Sequence, residues 1–171
     1  EMCIRDRIDS LRVQWENLEQ IDQQIRDLER RLMEWKKADS SVMAISAIPG
    51  VGLLTATAAV ATIGDAKAFK SGRELAAWLG LVPRQTGSGG KINLHGISKR
   101  GDRYLRTLLI HGARVVFHHH GETNHWLKRM TERRPNNVVI VAQANKMARQ
   151  IWAVLAKEQT FEPGHISIRP A

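Results

Sequence analysis

Residues 41–65, "SVMAISAIPGVGLLTATAAVATIGD", decide the fold. Two apolar runs flank the five residues Ile48-Pro49-Gly50-Val51-Gly52. Pro49 fixes one φ, and the glycines on either side of Val51 admit positive φ, so the chain can reverse there within a few residues. The spacing predicts helix, tight turn, helix. The second helix, Thr55–Ile63, is rich in Ala and Val and suits close packing against a neighbour.

The apolar-Pro-Gly-Val-Gly pattern resembles the hairpin of helix-hairpin-helix DNA-binding modules. In such a hairpin Gly50 and Gly52 would let backbone N–H groups approach a phosphate, and the following helix would offer its positive N-terminus. The plainer alternative is an αα-turn closed by a glycine cap.

Upstream, Leu11, Trp15, Leu18, Ile21 or Asp22, Ile25, Leu28, Leu32 and Trp35 recur at spacings of four and three, with charges of both signs between them and no Gly or Pro. That is a heptad pattern, which predicts one long amphipathic helix. Its seam either pairs, with another chain or with its own domain, or lies on the surface; three to four heptads are enough for pairing. The organisation expected is a coiled-coil dimerisation helix over 1–40, a compact helical domain over 41–160 and an irregular tail over 161–171. "EMCIRDR" at the start has no methionine at position 1 and is set apart as an extraneous leader, with the natural protein beginning further upstream.

Downstream, "SGRELAAWLGL" predicts a short helix capped by Ser71, with Glu74 three residues on, and ended by Gly80. Pro83–Gly96 holds four glycines and reads as a loop or loose hairpin. It carries Arg84, Gln85, Thr86, Ser88, Lys91, Asn93 and His95, and it lacks the spacing of a P-loop and the strand–turn–helix context of a nucleophile elbow. Asp102 can cap a helix running to about His120. On a helical projection Leu105, Leu108, Leu109, Gly112 and Val116 share one side, and Arg103, Arg106 and Arg114 lie together opposite them, just after Lys99 and Arg100. Between Arg84 and Arg114 there are seven basic residues and one acid. Guanidinium groups so grouped suit phosphate, because the planar fork bonds two oxygens at once; the alternative is a solvated charged face. A short basic helix should end before Pro135, and a long core helix should follow through "NVVIVAQANKMARQIWAVLAKEQ".

Composition agrees with a polyanionic partner. Net charge is +9 over 171 residues, with a pI near 10.3, and it is uneven. Residues 1–40 hold 8 basic and 10 acidic residues, whereas 41–171 hold 18 and 7, so the anion-binding surface is placed after residue 40. No apolar run approaches the roughly 20 residues that span a bilayer, and no membrane partner is expected. Cys3 is the single cysteine, which rules out an internal disulfide framework and fits a reducing cytoplasm. "FHHHGETNH" does not make a metal site: consecutive histidines point in different directions on a helix, and no Asp, Glu or Cys set joins His111 and His118. No metal residues are assigned.

The hairpin, Gly-Leu-Val-Pro-Arg, Ser-Gly-Gly-Lys, Ile-Ser-Lys-Arg-Gly-Asp-Arg-Tyr-Leu-Arg-Thr-Leu-Leu and Asn-Lys-Met-Ala-Arg occur in this order between Ala44 and Leu155. Together they resemble the C-terminal domain of the DEDD-type insertion-sequence transposases, the bridge-RNA-guided recombinases. The resemblance implies a serine nucleophile, which matches Ser88, and a dimer coil, which matches residues 8–38. It also implies double-stranded DNA and a structured non-coding guide RNA as partners, in the bacterial cytoplasm at the nucleoid. A divalent metal, Mg, would belong to an N-terminal RuvC-like domain whose acidic ligands this sequence does not contain. The chain is therefore expected to be a C-terminal piece with no cofactor of its own, incomplete as a recombinase. Gly87 stands where the family pattern would carry a polar residue.

Three hypotheses follow: a serine-dependent DNA strand transferase, a helix-hairpin-helix nucleic-acid-binding module without chemistry, and a tyrosine recombinase using Tyr104. The third is disfavoured because the projection turns Tyr104 about 100° from Arg103.

Overall fold

The structure, a computed structural model, describes residues 2–121 and 123–163; residues 164–171, the end of the expected tail, lie outside the described residues. It is mainly helical with one small sheet. Helix α1 (Met2–Ala38) leads into α2 (Ser40–Ser46), α3 (Leu53–Ile63), a short 3-10 turn (Ala66–Ala68) and α4 (Gly72–Trp78). Strands β1 (Pro83–Ser88) and β2 (Lys91–Ile97) follow, then α5 (Arg103–His120), α6 (His125–Thr131) and α7 (Asn136–Lys157).

Local chemistry explains the boundaries. Asp39 accepts from the backbone N–H groups of Ser41 and Val42 and so starts α2 as α1 ends. Ser71 accepts from Glu74 N, Asp102 from Leu105 N, and Asn124 from Trp126 N and Leu127 N, capping α4, α5 and α6. Pro135 precedes α7, where its missing N–H deprives no helical bond.

Helix α7 is the centre of the bundle. It packs on α5 and α4 and buries Ile140, Ala144, Met147, Ala148 and Ile151 against Leu75, Leu105 and Leu109. Ala56 and Ala59 of α3 are fully buried, so the helix approaches closely, and Thr57 satisfies its hydroxyl on Leu53 O at 2.9 Å. Two side chains of α7 tie down the connections: Trp152 Nε1 donates to Ala66 O and Phe69 O, both at 3.1 Å, and Asn145 Nδ2 donates to Leu81 O at 3.2 Å.

The turn between α2 and α3 is locked from within. Gly50 has φ +85°, and a Cβ there would stand 2.7 Å from Gly112 O, 2.8 Å from Val116 Cγ2 and 2.9 Å from Met147 Cε. Only glycine fits a left-handed backbone pressed this closely on α5 and α7.

Helix α1 behaves differently. Its C-terminal end meets α2 and α3, with Trp35 packed on the core, while Leu11, Trp15, Leu18, Ile21, Ile25 and Leu28 are all exposed. Over these residues the seam does not fold back on its own domain, which removes that form of pairing.

Candidate nucleic-acid interface

The glycine-rich segment forms an antiparallel hairpin. Gly89 and Gly90 both take positive φ, 58° and 82°, as a two-residue type I′ turn requires. The register pairs Gln85 with Leu94, Thr86 with Asn93, Gly87 with Ile92 and Ser88 with Lys91, with a bulge between Pro83 and Gln85. Cross-strand partners share a face and alternate residues change face. Thr86, Ser88, Lys91, Asn93 and His95 therefore line one face, and Ile92 and Leu94 the other. Thr86 Oγ1 and His95 Nε2 share a hydrogen bond of 2.5 Å that ties the strands on the polar face. All of β1 is exposed.

Ser88 is the last residue of β1, directly across from Lys91. Their Cβ atoms are expected about 5 Å apart, the usual spacing of facing residues. Arg84 is four residues back along the same strand, about 13 Å by strand rise. Of the basic residues singled out in the sequence, the register thus brings Lys91 alone beside Ser88.

At the hairpin's base a strap crosses the end of α4. Ser98 N donates to Val82 O at 2.8 Å and Lys99 N to Gly80 O at 3.2 Å. Gly101, φ +92°, leaves no room for a Cβ against Trp78 O. Lys99, itself at φ 56°, and Arg100 are exposed on this strap, and Arg103 is exposed on the first turn of α5. Arg114 is exposed three turns further along the same face. Tyr104 is exposed too, at 59%.

Arg106 is a correction. It is buried, 8% exposed, and its Nη1 donates to Leu79 O at 3.0 Å and to Arg100 O and Asp102 O, each at 3.4 Å. It joins the end of α4, the strap and the start of α5, with its charge set favourably at a helix C-terminus. Ala113, fully buried, lies about 20° from Arg106 on the projection, so the buried arc of α5 reaches it.

Gly50 packs against α5 and α7, which gives its glycine a structural reason beside the phosphate-binding one. Gly52 remains exposed, with nothing within 4 Å of a Cβ, as the first cap residue of α3. Of the loop and the loose hairpin expected over Pro83–Gly96, the structure has the hairpin, with a regular second strand. "KINLH" alternates polar and apolar directly after Gly89-Gly90, which is the period of a strand behind a hairpin turn.

Among the described residues no group of three or more His, Cys, Asp or Glu side chains is placed to hold a metal. No described helix is long and apolar enough to cross a membrane.

A family model described as "Transposase IS116/IS110/IS902 family" matches residues 43–129, which include the hairpin, the strap and α5. The chain is 46% identical over 153 residues to a "Probable family 20 transposase" of Pseudomonas aeruginosa, covering 87% of this chain and 45% of that protein. It is 46% identical over 147 residues to the "Transposase for insertion sequence element IS1111A" of Coxiella burnetii, covering 84% and 40%. It is 29% identical over 159 residues to the "Pilin gene-inverting protein" of Moraxella bovis, covering 90% and 48%. The chain spans less than half the length of each of these relatives.

Proposed function

The chain belongs to the IS116/IS110/IS902 transposase family, and from that premise we propose that it is the C-terminal DNA-binding and strand-joining portion of an insertion-sequence transposase, with Ser88 as nucleophile. The observation that carries this reading is the placement of Ser88 at the end of an exposed strand, with a lysine directly across on the same face. A serine hydroxyl must lose its proton and be held in line to attack. The Ser88 Oγ–P bond forms as the bond from phosphorus to a deoxyribose oxygen breaks. The hydroxyl proton passes to a base and is returned to the departing oxygen. The phosphoserine link conserves the bond for rejoining. Lys91 stabilises charge on the phosphoryl oxygens, and Arg84, Lys99, Arg100, Arg103 and Arg114 hold the DNA backbone from the hairpin's base along α5. Gly52 offers its end of α3 to a further phosphate.

The partners in this reading are duplex DNA from element and target, a structured guide RNA and a second copy of the protein. The exposed heptad seam of α1 supports the last. The divalent metal implied by the family resemblance would be held by a RuvC-like domain outside these residues. It would supply Lewis-acid stabilisation there, and no step assigned to this chain runs through it. The setting is the bacterial cytoplasm, at the nucleoid.

The test is adduct trapping on DNA with a full-length transposase and its guide RNA, comparing wild type, Ser88→Ala and Tyr104→Phe. We expect a covalent adduct in wild type and Tyr104→Phe and none in Ser88→Ala. An adduct that persists in Ser88→Ala removes the serine assignment. No adduct in any protein, with DNA binding kept, favours a non-catalytic helix-hairpin-helix module.

A further inference from the structure

Behind the α2–α3 turn lies a pocket of about 300 Å³ that the basic residues of the interface do not enter. Pro49 forms part of its wall, with Asn124 at the start of α6, Gln143, Lys146 and Gln150 on α7, and Phe161 beyond it. Spacings of three and seven put the three α7 side chains on one helix face.

Gln143 is 5% exposed, and its Oε1 is buried without a hydrogen-bond partner among the described residues. Buried polar atoms are nearly always paired, so a lone acceptor on a residue that lines a pocket calls for a donor from outside the protein, a water or a ligand group. Lys146 lies beside it with its Nζ 4.8 Å from the Trp126 ring centroid. Burial, and then the charge of Arg149, hold its pKa below the ordinary lysine value. Phe161 and Pro49 add flat apolar surface.

Amide and ammonium groups around an edge, with apolar walls beside them, fit a planar heterocycle that carries donors and acceptors in its own plane. Nucleobases have such edges and are read this way when unstacked. The volume is at the lower limit of ligand pockets, enough for one base and too small for a dinucleotide. The lining contains a cation and no carboxylate among the described residues, which suits a base attached to a polyanion. Pro49, in the pocket wall, belongs to the same turn as Gly52 at the start of α3.

We propose that this pocket receives a single unstacked nucleobase of the bound nucleic acid, with Gln143 Oε1 accepting from its amino or ring N–H group. The proposal rests on the nucleic-acid-binding reading above. It is tested on the full chain with three probes: a short thymidine strand carrying one central 2-aminopurine, a fully paired duplex, and AMP. For Gln143→Leu, which alters no charge, single-strand affinity should fall about tenfold and the 2-aminopurine emission change on binding should vanish, while duplex affinity stays within about twofold. Gln150→Leu, at a half-buried position, tests the same edge should Gln143→Leu fail to fold. Single-strand affinity and emission unaffected by the folded variants would overturn the pocket assignment alone. AMP binding as tightly, with the same dependence on Gln143, would overturn it in favour of a free-nucleotide site. Failure of the wild type to bind either duplex or single strand would overturn the nucleic-acid reading and this proposal together.

Discussion

Every residue of β1 is exposed, whereas α7, a few residues' reach from the hairpin's base, buries eight of its own. The hairpin holds together by its turn, its ladder and one Thr86–His95 hydrogen bond. The bundle holds together by interlocked glycines, buried aliphatic side chains and a buried arginine. Stability and candidate chemistry therefore reside in different places. The hairpin residues proposed to meet DNA should change with little effect on folding, and the aliphatic core of α7 lies away from them.

Three substitutions probe that separation. Gly50→Ala should do the most damage, since it forces an L side chain into positive φ and drives a Cβ into Gly112 O, Val116 and Met147. A loss of roughly 2–4 kcal/mol is expected, read from the urea midpoint followed by circular dichroism. A midpoint that does not move would break the packing account.

Arg106→Met should come next. It keeps the apolar stem and removes the donor from three backbone carbonyls, with an expected cost of about 1–3 kcal/mol. DNA affinity measured well below the unfolding midpoint should stay unchanged. A salt-dependent loss of affinity with full stability would place Arg106 back on the interface.

Thr86→Val should have the smallest effect. It removes an exposed hydrogen bond on the hairpin and should shift global stability by no more than about 0.5 kcal/mol. Hydrogen exchange of the β1 and β2 amides should quicken while the α7 amides stay protected. A shift as large as that of Gly50→Ala would show that the hairpin unfolds with the bundle and would erase the distinction.

Much of this arrangement is legible along the chain because it depends on neighbours in sequence. Ser71, Asp102 and Asn124 cap helices through atoms two or three residues away. The Pro49–Gly52 turn and the stop at Gly80 likewise follow from local φ preferences. The hairpin's strand is less visible, because only the alternation Lys91–His95 separates it from a loop. The position of Ser88 across from Lys91 then depends on a register set by the Gly89-Gly90 turn.

By itself the sequence determined the helical class, the helix starts, the heptad seam of α1 and the basic segment from Arg84 to Arg114, since periodicity, capping and charge are local properties. Only the tertiary structure decided that Arg106 is inside and Arg103 and Arg114 outside, that Gly50 is held by Gly112 and Met147, and that Gln143 is left with an unpaired oxygen. Each of these depends on how closely α5 and α7 approach distant parts of the chain. That distance is set by the volumes of side chains far apart in sequence, which no local pattern encodes.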